Sequence, residues 1–124
     1  MDFLPKIFSF NQYSRDIWVG EKAKGIPRGA RVLDAGAGRG CYRNLFSHCK
    51  YKTQDFGREP GTIGEYTALD YVCDIAEISV PDGSFDVVLC TEVLEHVPEP
   101  MTAIKEFSRI LRRGGTLLLT APLG

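Results

Sequence analysis

Four acidic residues stand where apolar runs of this chain end, and the first of them opens a glycine-rich loop. They are Asp34, in Arg31-Val32-Leu33-Asp34-Ala35-Gly36-Ala37-Gly38-Arg39-Gly40; Asp55, after Tyr51 to Gln54; Asp74, after Tyr71-Val72-Cys73; and Glu92, after Phe85 to Thr91. Glycine lets a backbone turn tightly and come close to a ligand. Carboxylates nearby can accept hydrogen bonds from hydroxyl or amino groups. Asp55 follows Gly36 by 19 positions, close to the ~20 expected between a glycine loop and a ribose-binding acid. A dinucleotide fingerprint would need its third glycine at position 41, where Cys41 stands. Four acids would also repel a pyrophosphate, since like charges a few ångströms apart repel even when screened. A ligand with a ribose, an amine and a positive charge, and no phosphate, fits this set better.

Such residues need a scaffold that brings strand ends together. Arg31–Ala35, Tyr51–Gln54, Tyr71–Cys73, Phe85–Cys90 and Thr116–Thr120 read as five short strands. Their apolar runs are mostly continuous, as parallel strands covered on both faces require. Between them lie helix candidates: residues 11–24 with Ile17, Trp18 and Ala23 as apolar residues, Cys41–His48, a short one at Glu92–Val97, and one opened by Pro100. The last carries Ile104, Phe107 and Leu111, with Arg112 and Arg113 at its negative end and Gly114 as its cap. Residues 56–69 read as a loop. Alternation of strand and helix predicts an α/β class with right-handed crossovers. Ligands then sit at the carboxyl ends of the strands. Residues 1–30 are expected to form an N-terminal helical segment, and 31–124 the cofactor-binding core of a single domain.

Composition narrows the partners. The 124 residues carry a net charge of −1, which supplies no field for gathering nucleic acid or anionic membrane. No apolar run approaches the ~18 residues of a membrane span, and the start has no signal-peptide pattern. A cytoplasmic location is the expectation. The cysteines, Cys41, Cys49, Cys73 and Cys90, form no C-x-x-C pair and read as unreactive. Cys41 is the one whose place at a helix start could lower its pKa.

Val32 to Gly40 resembles the glycine motif of class I S-adenosylmethionine-dependent methyltransferases. Phe85 to Val97 resembles the fourth-strand motif of their type-11 subgroup, and Leu111 to Leu119 the segment entering their fifth strand. The resemblance runs from about Arg31 to Pro122. It implies a Rossmann-like doubly wound parallel sheet in the order 3-2-1-4-5, lacking the last two strands of the family fold. It implies S-adenosyl-L-methionine as cofactor, which has the ribose, amine and positive charge inferred above. It places Asp34, Ala35, Gly36 and Gly38 along the methionine part, Asp55 at the ribose hydroxyls, Asp74 at the adenine amino group with Ile75 against the ring, and Thr91 and Glu92 at the sulfonium. Tyr13 and Arg15 would close over it. The acceptor such relatives use is often a small molecule or a sugar.

Other readings stand beside these. Asp34 or Asp74 can be turn or cap residues. Asp86 reads as structural, bonded to nearby backbone, and His48 as a helix-end histidine. Glu92 and His96, four apart, would share a helical face with Glu95 adjacent. His96 is first a structural residue, second a general base, and third a metal ligand with Glu92 and Glu95. No further ligand is evident, so no metal is assigned. A binding module without catalysis, or a fragment needing a partner or C-terminal extension, is the alternative to an enzyme. A nucleotide-dependent oxidoreductase is disfavoured by Cys41 and the acids. If the sheet stops at its fifth strand, Thr116–Thr120 is an exposed apolar edge, open to a homodimer contact.

Overall fold

A computed structural model describes residues 12–57 and 69–121. In chain order the elements are α1 (Gln12–Lys24), β1 (Arg31–Ala35), a 3₁₀ turn at Arg43–Phe46, β2 (Lys50–Asp55) and β3 (Tyr71–Val72). Then follow β4 (Phe85–Thr91), a second 3₁₀ turn at Leu94–His96, α2 (Pro100–Ile110) and β5 (Leu111–Thr120). The strands form one sheet in the order β3-β2-β1-β4-β5, and every pairing is parallel. This is the doubly wound arrangement, with the reversal of strand order between β1 and β4. None of the described helices is long and apolar enough to cross a membrane.

Both sheet faces are covered, which is why β1 and β4 read as mostly continuous apolar runs. Leu33, Ala35, Val88 and Cys90 pack with Ala103, Phe107 and Ile110 of α2 on one face. Val32, Val87 and Leu89 pack with Val19 and Ala23 of α1, and with Tyr42 and Phe46, on the other. Phe46 and Phe107 are fully buried, each contributing about 1.5–3 kcal/mol of transfer free energy.

Several local expectations need correcting. In α1 the buried residues are Val19 and Ala23, while Ile17 is 50% exposed. Two positions rotate a helix by about 200°, so Ile17 lies opposite Val19. The helix expected over Cys41–His48 is one turn of 3₁₀, closed by Leu45 N–H donating to Tyr42 O at 2.9 Å. Tyr42 and Phe46 still face the core. The return from β1 to β2 is short, and 3₁₀ geometry covers more length per residue than α. Glu92–Val97 likewise contracts to 3₁₀ at Leu94–His96.

Helix α2 ends at Ile110, not at Gly114. Leu111 is already extended and pairs with Phe85, and the register then slips so that Val87 meets Thr116. Gly114, at φ +78°, lies in this bulge, where a left-handed residue is needed and only glycine adopts it without strain. Arg112 is therefore no helix-dipole partner. Its Nε donates to Asp86 Oδ1 at 2.8 Å. Asp86 also accepts from Arg31 N–H at 2.7 Å and from the Arg31 guanidinium at 2.9 and 3.2 Å. The hydrogen bonds from Arg31 hold its carboxyl well below the usual range. It is the structural acid that its place inside a strand motif suggests.

Candidate functional site

The glycine loop leaves β1 at Gly36, whose φ is +70°. A Cβ there would lie 2.6 Å from Val93 Cγ2 and 2.9 Å from Val93 Cγ1, so only glycine fits against that wall. The next feature bears on what the loop can bind. Gly36 N–H donates to Gln54 Oε1 at 3.0 Å, Ala37 N–H to Gln54 O at 2.8 Å, and Gly38 N–H to Asp55 Oδ2 at 2.7 Å. Three successive loop donors are thus taken by acceptors at the end of β2. A phosphate-binding glycine loop points such donors at its ligand. Here they point into the protein.

Beside the loop lies a cleft of about 390 Å³, within the range of small-ligand sites. Gly36, expected along the methionine part, lines it together with Asp55, Asp74 and Ile75, expected at the ribose and the base. His96 lines it as well. Gln54, Phe56, Val93, Val97 and Pro98 complete it, and the sequence reading assigned none of these five to the site. Asp55 keeps an oxygen on Phe56 N–H at 2.7 Å. Asp74 Oδ1 accepts from Ala76 N–H at 2.8 Å, the turn role that was its alternative, and its residue remains exposed. Gln54 is 1% exposed.

Asp34 and Ala35 lie behind the loop. Ala35 is fully buried, and Asp34 is 2% exposed. Asp34 alternates with Leu33 and Ala35, so it faces the α1 side, where the Tyr51 hydroxyl donates to Oδ2. Its side chain does not line the cleft. Burial pushes the Asp34 carboxyl up to about 7, against the pull of the Tyr51 hydrogen bond and of Arg43. Cys41, where a lowered pKa was conceivable, moves the other way: burial and Asp34 raise it. His48 Nε2 lies 2.9 Å from Ile26 O. A carbonyl can only accept, so this nitrogen carries the proton and ties the turn to the end of α1.

Thr91 ends β4 opposite Thr120 of β5. Glu92 follows at φ +54°, a left-handed conformation that costs a non-glycine residue of order 1 kcal/mol or more. It breaks the helical face that Glu92 and His96 were expected to share. Glu92 N–H donates to Thr120 O at 2.9 Å, and its Oε1 lies 3.4 Å from Arg15 Nη1. Its Oε2 is buried with no hydrogen-bond partner among the described residues. Tyr13 is 73% exposed and does not close the site. Among the described residues, no three His, Cys, Asp or Glu side chains converge as a metal set would.

Glycine loop, strand-end acids and switch-point cleft stand together on a doubly wound α/β domain. A family model described as a methyltransferase domain matches residues 33–119. The chain belongs to this family of S-adenosylmethionine-dependent methyltransferase domains. It is similar to the ubiquinone biosynthesis O-methyltransferase of Aliivibrio fischeri, 33% identical over 108 residues, covering 79% of this chain and 46% of the relative. It is similar also to the phosphatidylethanolamine N-methyltransferase of Cereibacter sphaeroides, 29% identical over 90% of this chain and 60% of the relative. Among solved structures, the YcgJ protein of Bacillus subtilis superposes with a TM-score of 0.72 at 22% identity, over 87% of this chain and 50% of that one. The chain thus spans about half the length of the relatives it matches.

Proposed function

We propose that the cleft beside Gly36 holds the adenosine part of S-adenosylmethionine and that the protein transfers its methyl group to a small molecule or sugar. The observation that carries this is the consumption of three successive glycine-loop donors by Gln54 and Asp55. A loop satisfied in this way has little to offer a pyrophosphate, whereas carboxylates at Asp55 and Asp74 suit hydroxyl and amino donors. Ile75, Val93 and Val97 give the apolar walls a base needs. Glu92 Oε2, buried and unpartnered, suits the positive end of the cofactor, next to Thr91. Asp34, Ala35 and Gly38 support the methionine part from behind the loop.

Bound here, the cofactor supplies an activated methyl group. The chain's own residues bind and orient it, and keep water from the acceptor line. His96, on the cleft wall, takes the proton of an acceptor hydroxyl. A second reading, a binding module completed by another segment or chain, is favoured by β5. That strand pairs only with β4 among the described residues.

Calorimetry with S-adenosylmethionine, S-adenosylhomocysteine and NAD tests the ligand class. Both sulfur compounds are expected to bind and NAD is not; tighter NAD binding overturns the reading. Asp55→Ala is expected to weaken binding by about 1–3 kcal/mol, the range for losing one partner of a charged hydrogen bond. Asp55→Asn, which keeps an acceptor for Gly38 N–H, separates the ligand contact from the loop contact. For His96→Ala the expected loss is about 10²-fold or more in transfer rate with unchanged cofactor affinity. Loss of folding in that variant would make the residue structural instead.

A further inference from the structure

We infer that Gln54 is a positioning residue, whose side-chain amide sets the width of the cleft by clamping its two rims together. The inference rests on the reading that this cleft takes the adenosine of S-adenosylmethionine. One rim is the glycine loop at Gly36. The other is the segment that follows β3 and presents Asp74 and Ile75. Gln54 reaches both: its Oε1 accepts from Gly36 N–H at 3.0 Å, and its Nε2 donates to Cys73 O at 2.7 Å. The residue is 1% exposed, so its amide has no water to take the place of either backbone partner. Strand β3 is only two residues long, Tyr71–Val72. It meets β2 in just two register pairs, Gln54↔Tyr71 and Asp55↔Val72. Cys73 N–H adds one backbone bond, to Asp55 O at 3.0 Å, which ties the segment to β2, and the Gln54 amide joins it directly to the loop. Its orientation is fixed by chemistry. The amide oxygen must face the N–H of Gly36 and the amide nitrogen the carbonyl of Cys73. Among side chains of this length, only glutamine and a protonated glutamate carry both an acceptor and a donor.

Two substitutions separate positioning from mere packing. Gln54→Leu fills similar volume and makes neither bond. It is expected to bind S-adenosylhomocysteine about ten- to hundredfold more weakly, as when buried polar groups lose their partner, with faster hydrogen exchange at the Gly36 amide. Gln54→Glu restores both bonds only while protonated, when the acid can donate to Cys73 O. Ionised, it turns a second acceptor toward that carbonyl. Burial raises the pKa of such a carboxyl. Affinity relative to wild type is therefore expected to be near one at pH 5.5 and to fall tenfold or more by pH 8.5. Asp55, Asp74 and His96 on the cleft, and Asp34 behind the loop, are common to both proteins, so the ratio isolates position 54. Wild-type affinity and an equally protected Gly36 amide in folded Gln54→Leu would overturn the inference. A Gln54→Glu affinity ratio independent of pH would do the same, and it answers the question if the leucine variant does not fold. Should the wild-type chain itself fail to bind S-adenosylhomocysteine, the functional reading falls, and exchange at Gly36 in wild type against Gln54→Leu alone decides the clamp.

Discussion

Stability is expected to fall by roughly 3–4 kcal/mol as the pH rises from about 4 to 8, through Asp34 alone. The cause is burial: its carboxyl is raised from 3.8 to about 7 in the folded chain. Between those two values the folded state holds a proton that the unfolded state has released. Stability therefore declines as pH increases and levels off above about 7. Tyr51 does not compensate. Burial and the neighbouring Asp34 raise its own pKa far above the ordinary value, so it stays a hydroxyl donor throughout. Asp86 and Glu106, both lowered by arginine partners, act in the opposite sense. Their contribution is present above the unfolded carboxylate value and is lost on acidification, from the low end of this window downward. Urea unfolding of wild type and Asp34→Asn across this range is the measurement. Asparagine keeps an acceptor for the Tyr51 hydroxyl and cannot ionise, so the variant should lose the slope and gain on wild type at pH 8. Parallel curves for the two proteins would show that Asp34 is not the group responsible.

Gly36→Ala is expected to cost roughly 2–5 kcal/mol and to abolish cofactor binding. Two effects add. An alanine at φ +70° carries about 1–2 kcal/mol of backbone strain, and its Cβ would overlap both γ-carbons of Val93, an overpacking cost of about 1–3 kcal/mol. Val93 is β-branched and has little rotamer freedom with which to move away. It also lines the cleft, so any displacement narrows the site. The double variant Gly36→Ala with Val93→Ala should recover the steric part and leave the strain, which a double-mutant cycle resolves. Equal destabilisation with and without Val93 would remove the contact from the argument.

The fold was legible because its signals are redundant. Continuous apolar runs marked β1 and β4, glycine and proline marked the breaks, and the resemblance fixed the strand order that the sheet displays. Gly36, Asp55, Asp74, Ile75 and His96 meet at one cleft because α/β topology gathers strand ends there. Helical spacing misled over Cys41–His48 and Glu92–Val97. In both, apolar periodicity was real, and the short span or a left-handed residue at position 92 prevented an α-helix. Asp34 shows a different limit. Its place in the motif suggests a contact with the methionine part, and strand alternation turns its side chain toward Tyr51 and away from the cleft beside Gly36. Gln54 escaped because hydrogen bonds between a side chain and distant backbone leave no periodic trace.

The three hydrogen bonds from Arg31 to Asp86 span 55 positions of the chain and join the two central strands. That separation has a consequence for the order of assembly. The β1–β2 pair can close as soon as the segment through Asp55 is available, but β1 cannot meet β4 until the long stretch between them has been gathered. Closing so large a loop must precede the contacts that reward it, which places this domain among slow-folding topologies of high contact order. Until then the inner edge of β1 offers unpaired backbone and the apolar side chains of Val32 and Leu33. The guanidinium of Arg31 flanks that edge, a charge that discourages strangers from pairing with it while it waits for the acid that arrives with β4.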